Sequence, residues 1–411
     1  MNVLNIIGCI VLLALVGCSG GGGASSTLGS VFPSDPINTE SGGSVWKPTG
    51  GLTGDRVNYL AIAPKNNHVI YAASSAGIFK SINAGVSWTH VSNWLQNSTT
   101  LTEKATGLTL GIRATAPVYS LSIDPSNNSV VYAVTYLGIF KTDDGGESWI
   151  SVNDGLEKDS RFVLNDPITS QVTEETISVG ALAIDPTNSQ IVYCGNVNGS
   201  IYKTIDGGVN WVPASNGLTG GISNIAVDPT NSQIVYAGTY TQISNTSMVI
   251  AGSVFKSNNG GQRWVEIRSG INTTNTSLIS LVINPSDSNV LYAGVTSANV
   301  YYSNNIAIGI SSNYEDVYKS NDSGSTWFLT NYGMNGKGLL CLATDPSNSQ
   351  VVYAMTYGSL YKSVNAGEKW IVINEGLPSD GASFIAIDPT NHQVIYAGTS
   401  LGVYKTTTGG I

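Results

Sequence analysis

Charge is scarce in this chain of 411 residues: Asp, Glu, Lys and Arg together make 11%, and 18 Lys+Arg against 27 Asp+Glu leave a formal net charge of −9. So few cations give no electrostatic footprint for a phosphate backbone, which argues against nucleic acid as a partner. Helix formers such as Lys, Glu and Leu are also thin, which argues against a helical fold. Three histidines and four cysteines show no metal-ligand spacing, and neither a phosphate loop nor a dinucleotide fingerprint occurs, so no cofactor or metal is expected. The apolar run near the N-terminus, Ile10 to Val16, is too short to span a bilayer as a stable anchor.

What is abundant is glycine (47 residues), with Asn, Ser, Thr, Val, Ile and Tyr, the composition of many short strands joined by tight turns. The stretch Lys141 to Trp149 (KTDDGGESW) returns at Lys80 to Trp88, Lys203 to Trp211, Lys256 to Trp264, Lys319 to Trp327 and Lys362 to Trp370, with a broken copy from Lys405. Around it each unit repeats one order of parts. A first strand ends at Pro64, Pro125, Pro186, Pro229, Pro285, Pro346 or Pro389, and a second carries Tyr71, Tyr132, Tyr193, Tyr236, Tyr292, Tyr353 or Tyr396. A third strand runs into the repeated turn and a fourth begins at its Trp. Pro cannot donate to a ladder and the Asp or Asn before it bonds the next amides, so the first strand must stop there. Seven four-stranded antiparallel meanders of about 43 residues predict a seven-bladed β-propeller over 44–411. The seventh unit lacks Trp and fourth strand, while the domain opens with Ser44-Val45-Trp46, so residues near Ser44 to Pro48 are expected to supply that strand and close the ring.

The turn resembles the Asp-box, or bacterial neuraminidase repeat, of the sialidase-like propeller superfamily, and the likeness runs over Ser44 to Ile411. It implies a structural role: Ser/Thr and Asp tie down the turn and Trp packs in the hydrophobic layer. The motif Asp stands at Asp144, Asp206 and Asp322, Asn replaces it at Asn83, Asn259 and Asn365, and Thr408 departs. The motif Trp residues are Trp88, Trp149, Trp211, Trp264, Trp327 and Trp370. Sialidase activity is not implied, because the early Arg-Ile-Pro motif is absent and only Arg56, Arg113 and Arg161 are placed to stand in for the three substrate arginines. The repeats also resemble xyloglucanase-type glycosidases, whose cleft lies between two propellers where this chain supplies one, and the photosystem II assembly factors and sortilin-type receptors, which are binding propellers. At the other end, Leu15-Val16-Gly17-Cys18 resembles a bacterial lipoprotein signal, without a Lys or Arg before the apolar run. That implies a signal peptide over 1–18, acylation of Cys18, a Gly/Ser-rich tether over 19–43 and a place on the bacterial cell envelope, periplasmic or surface-exposed. An ordinary secretory signal is the alternative.

Departures from the minimal unit point to function, since loops on a rigid scaffold carry it. Trp46 to Pro64 spans 18 positions, but Trp88 to Pro125 and Trp149 to Pro186 span 37 each. Tyr396 to Lys405 spans 9, but Tyr236 to Lys256 spans 20 and Tyr292 to Lys319 spans 27. In an up-and-down meander all four insertions (93–116, 156–178, 240–252 and 296–315) emerge on the face opposite the repeated turns. They bring the aromatics Trp94, Phe162, Tyr240, Tyr301, Tyr302 and Tyr314, joined by Tyr136 and Tyr357 from shorter loops, and carboxylates that include Asp166, Glu174 and Glu175. Such aromatics stack on sugars or anchor a protein partner, or else pack down their own loops. The expected function is a binding or scaffold propeller for a protein or glycan; the alternative is a glycoside hydrolase or lyase using a carboxylate pair from the loops. Cys194 and Cys341 stand in different strands of units three apart, which predicts buried thiols rather than a disulfide.

Overall fold

A computed structural model describes residues 46–410 except 75, 93–99, 104–108, 111–117, 136, 166–171, 241–251, 273–275, 304–305 and 336. The described residues form a seven-bladed β-propeller with no helix, each blade a four-stranded antiparallel sheet. The inner strands of blades 1 to 7 are Val57–Ile62, Val118–Ile123, Val179–Ile184, Gly221–Val227, Thr276–Ile283, Lys337–Thr344 and Ala382–Ile387. Second strands, such as Ile70–Ser74 and Val192–Asn196, are buried along their whole length between neighbouring blades, which is why they read as continuous apolar runs. The fourth strand paired to the last sheet is Lys47–Thr53, with Lys47 opposite Lys405. Apolar side chains of blade 7 (Val394, Tyr396, Val403) and blade 1 (Val57, Leu60, Ile70) share one core cluster. The signal and tether expected over 1–43 lie outside the described residues.

Each repeated turn is held by its own side chains. In blade 2, Thr142 Oγ1 donates to Asp144 Oδ1 (2.7 Å) and accepts from the amide of Gly146 (2.9 Å), while the amide of Ser148 donates to Asp144 Oδ1 (3.0 Å). Asn83 takes the same bonds in blade 1, receiving Ser81 Oγ at 2.9 Å and the amide of Ser87 at 2.9 Å. An amide oxygen accepts as a carboxylate does, so Asp and Asn alternate here without a change of geometry. The fifth and sixth positions of each turn are both left-handed; glycine fills most of them, and Ala84, Ser323 and Ala366 adopt φ of 55–56° at the fifth.

The turns also join the blades. Tyr71 OH (3.1 Å) and Lys80 Nζ (2.8 Å) of blade 1 both donate to the carbonyl of Gly145 in the turn of blade 2. Tyr132, Tyr193, Tyr236, Tyr353 and Tyr396 repeat that bond to the next turn, Tyr396 reaching Ala84 of blade 1 at 3.1 Å. Outside, the Trp indole donates back to the preceding blade, as Trp211 Nε1 does to Val152 (2.8 Å) and Trp370 Nε1 to Thr330 (2.7 Å). Trp46 follows the same rule, its Nε1 bonding Ile373 at 2.9 Å. Two junctions depart from it: Tyr292 OH and Trp88 Nε1 are inaccessible and have no hydrogen-bond partner.

Two expectations need adjustment. The fourth strands do not start at the Trp but one residue later, and in blades 1 to 6 they are two residues long, such as Val212–Pro213. The reason is that the Trp amide itself turns to the neighbouring blade, as Trp211 N does to the carbonyl of Asp154 (2.9 Å). The insertions, expected as loops, contain strands of their own. Cys194 and Cys341 are free thiols, and burial pushes that of Cys341 up to about 12.

Candidate functional site

The face opposite the turns is built from the connections that follow second and fourth strands. There the two longest connections between blades meet. Thr100–Glu103 and Thr109–Leu110, from the connection after blade 1, join Asp159–Asn165 and Val172–Thr176, from the connection after blade 2, in a separate four-stranded sheet. The pairing between the two connections runs from Phe162 opposite Glu103 to Asn165 opposite Thr100. Just past its last strand, Ile177 bridges Leu137 of blade 2, tying this crown to the blade beneath. In blade 5 the second and third strands run on past the blade as a long hairpin, Leu291–Ser303 with Ile306–Ser320, whose pairing continues to Ser303 opposite Ile306.

These elements place the candidate residues as follows. Phe162 stands in the centre of the crown, while Glu174 and Glu175 occupy successive positions of its outer strand, opposite Leu164 and Val163. Tyr301, Tyr302 and Tyr314 lie along the blade 5 hairpin, opposite Gly309, Ala307 and Ser297. Tyr240 is buried at 7% exposure, its ring against Gly221 and its hydroxyl donating to the carbonyl of Val197 (3.5 Å). Tyr357, by contrast, is 45% exposed, lying over Gly338, where an added Cβ would meet the ring at 1.9 Å. Trp94, Tyr136 and Asp166 lie outside the described residues.

The inner strands add a feature that the sequence pattern did not disclose. Every one carries a register shift near its start, between Val57 and Tyr59 in blade 1 and at the equivalent place in the other six. A β-bulge lets two residues oppose one and turns the strand. Here it sits on the insertion side of each inner strand, at Asn58, Tyr119, Gly180, Ser223, Ile279, Leu340 and Ser383. Below that level, Tyr59 of blade 1 stacks on Phe384 of blade 7 with ring centroids 4.0 Å apart. Burial raises the Tyr59 hydroxyl above its usual range, against a hydrogen bond to Ser120 that lowers it. Arg56, which leads into the inner strand of blade 1, has a buried Nε with no hydrogen-bond partner. The bulges were missed because a bulge leaves no mark in an apolar alternation, while Arg56, noted in the sequence only against a sialidase arginine set, lies outside every insertion.

The titratable groups at the turns behave differently. Hydrogen bonds from Ser148 hold Asp144 far below the usual carboxylate range; bonds from Thr204 and Asn210 hold Asp206 at about 2, and bonds led by Thr326 hold Asp322 at about 2. All three are fully ionised and saturated with donors, the state of a structural acceptor rather than of an acid or base. Among the described carboxylates, Asp316 at the foot of the blade 5 hairpin is raised, by burial, and it accepts from Asn331 Nδ2 at 3.0 Å. No cluster of metal-binding side chains occurs among the described residues. His68 and His392 lie in turns after inner strands, away from the insertion face, while His90 ends the outer strand of blade 1 with its Nε2 3.1 Å from the carbonyl of Ala76 in the connection after the second strand.

Compared by sequence, the chain matches no protein-family profile and no curated protein. Compared by structure, it resembles the GH74 enzyme of Niastella koreensis (TM-score 0.61, 20% identity, covering 89% of this chain and 54% of that one). It resembles the GH74 xyloglucanase of Xanthomonas campestris to a similar degree (TM-score 0.60, 14% identity, 89% and 54%). YCF48 bound to a D1 peptide is matched over 88% of this chain and 96% of its own, at TM-score 0.54 and 16% identity. The chain thus spans about half the length of the two GH74 enzymes, and identities this low establish the propeller fold alone.

Proposed function

We propose that this chain is an exported propeller, held on the cell envelope through Cys18, that binds a protein or a glycan on its insertion face. The observation that carries the reading is the crown: two connections 61 positions apart in the repeat, from Trp88 and from Trp149, are spent on pairing with each other. A ring does not need them, because the connection leading from Trp46 to blade 1 is far shorter and serves the same purpose. Extra sheet on one face is an investment in shape, and shape on an otherwise uniform scaffold serves recognition. Structural relatives include both GH74 enzymes and a peptide-bound YCF48, which agrees with either class of ligand.

The test is an array of neutral and acidic polysaccharides and of extended peptides, read for retention and for cleavage. Retention without cleavage, weakened by Tyr357→Ala, is expected. Cleavage of any polysaccharide that disappears in the Glu174→Ala/Glu175→Ala double variant would replace this reading by the glycosidase one.

A further inference from the structure

A ring of blades leaves a channel along its axis, and the bulges set what lines it near the insertion face. One residue past the bulge, Tyr59 of blade 1 has its counterparts in Ser120, Ala181, Asn224, Ser280, Cys341 and Phe384, each opposite the same place in its second strand. Tyr59, Asn224, Cys341 and Phe384 are partly exposed, and the surface that an innermost strand possesses is the channel wall.

Tyr59 reaches across that channel. Its ring stacks on Phe384 of blade 7, its hydroxyl bonds Ser120 of blade 2, and Cys341 of blade 6 is close enough to act on that hydroxyl electrostatically. A side chain packed between two blades meets one neighbour, whereas one that meets blades 2, 6 and 7 together stands at the axis. The level lies two residues inside the start of the inner strand at Val57, about 7 Å at ~3.3 Å per residue. That depth takes one unit of a polymer.

The far wall is polar and unsatisfied. Asn224 Oδ1 and the Oγ of Ser223, the bulge residue beside it, are shielded and have no hydrogen-bond partner in the protein. Ser280, at the same level in blade 5, is by contrast paired, accepting the amide of Leu342 at 3.1 Å. An unpaired buried acceptor costs stability, and because no bond holds Asn224 Oδ1, turning it into the channel breaks none. None of the seven residues at this level is charged. An aromatic plate beside an amide and hydroxyls, without charge, suits a ring that is apolar on its face and carries hydroxyls at its edge, which is a neutral sugar. We propose that the insertion end of the axial channel is a blind pocket for the terminal residue of a neutral glycan, with Tyr59 and Phe384 as its floor and Asn224 on its wall. This rests on binding at the insertion face and names the ligand there.

The full chain labelled with fluorotyrosine and followed by fluorine NMR tests this, with oligosaccharides cut from neutral glucans, mannans and xylans as the probe. The Tyr59 line is assigned by its loss in Tyr59→Phe, and Tyr332, 73% exposed on the rim, is the control. The expected result is that one class of oligosaccharide moves the Tyr59 line and leaves that of Tyr332 in place. Retention of that class should fall at least tenfold in Asn224→Leu, with an unfolding midpoint equal to or above that of the parent chain. Oligosaccharides that are retained while the Tyr59 line stays fixed, or retained equally by Asn224→Leu, overturn the pocket and leave recognition on the insertion face standing. Retention of extended peptides alone overturns the choice of a glycan. Retention of neither overturns the pocket and the binding function together.

Discussion

The two faces of this propeller are made from the same repeat and spend it in opposite ways. On the turn face the same donors meet the same acceptors: Ser or Thr to Asp or Asn within each turn, and Tyr or Lys to the carbonyl of the next turn. On the insertion face the connections diverge, from the crown above blade 2 and the long hairpin of blade 5 to the bare hairpin of blade 7, where Thr399 lies opposite Gly402 as Thr135 lies opposite Gly138 in blade 2. Every blade must fit the same neighbour, so selection for packing yields repetition. A ligand makes no such demand, so recognition yields variety. The prominence of a motif is thus a measure of how often the scaffold needs it, and on the function proposed above it points away from the binding face.

That contrast can be broken experimentally. The largest effect is expected at Trp370, buried at 2% with its indole bonded to the preceding blade: Trp370→Ala should cost about 3–5 kcal/mol, while Tyr357→Ala on the insertion face should leave stability within ~0.5 kcal/mol and weaken retention on the array. Equal costs at the two would erase the distinction. A smaller difference lies within the turn face. Tyr193→Phe should cost about 1 kcal/mol because its hydroxyl bonds Gly260 (3.1 Å), whereas Tyr292→Phe should be neutral or stabilising because its buried hydroxyl has no partner. Urea unfolding of both variants checks this. The smallest effect is in acid. Asp206 and Asp322 hold folded values of about 2, below the ordinary ~3.9 for an unfolded Asp, so their contribution is full above about pH 4 and fades as pH falls toward 2. Asp206→Asn/Asp322→Asn should flatten that acid limb, as the natural Asn turns of blades 1, 4 and 6 do, and a pH series of unfolding midpoints would show whether it does.

Much of the ring was legible because each of its parts recurs. Pro at the end of the inner strand, Tyr in the second, Lys before the turn and Trp after it fix strand order and number by arithmetic, without any knowledge of contacts. Trp46, left over at the start and matched by the missing Trp of the seventh unit, belongs to the same arithmetic. What could not be read was single-copy and non-local. The pairing of Leu101 with Leu164 joins segments that share no repeat, so nothing in either one announces the other. Tyr240 and Tyr357 occupy the same place in their blades, yet one is buried against Gly221 with its hydroxyl on Val197 and the other lies open over Gly338. Only the surroundings distinguish them, and those come from residues far away in the sequence or in another strand, such as Val197 for Tyr240.

The most direct test replaces residues 297–314 of the blade 5 hairpin by the Ser400-Leu401 connection of blade 7 and follows retention on the polysaccharide and peptide array alongside the unfolding midpoint. A recognition surface on the insertion face predicts that retention falls while the midpoint holds. Retention that survives the replacement, and is lost instead when exposed turn-face residues such as Ile205 and Val209 are changed to serine with the fold intact, would place recognition on the other face.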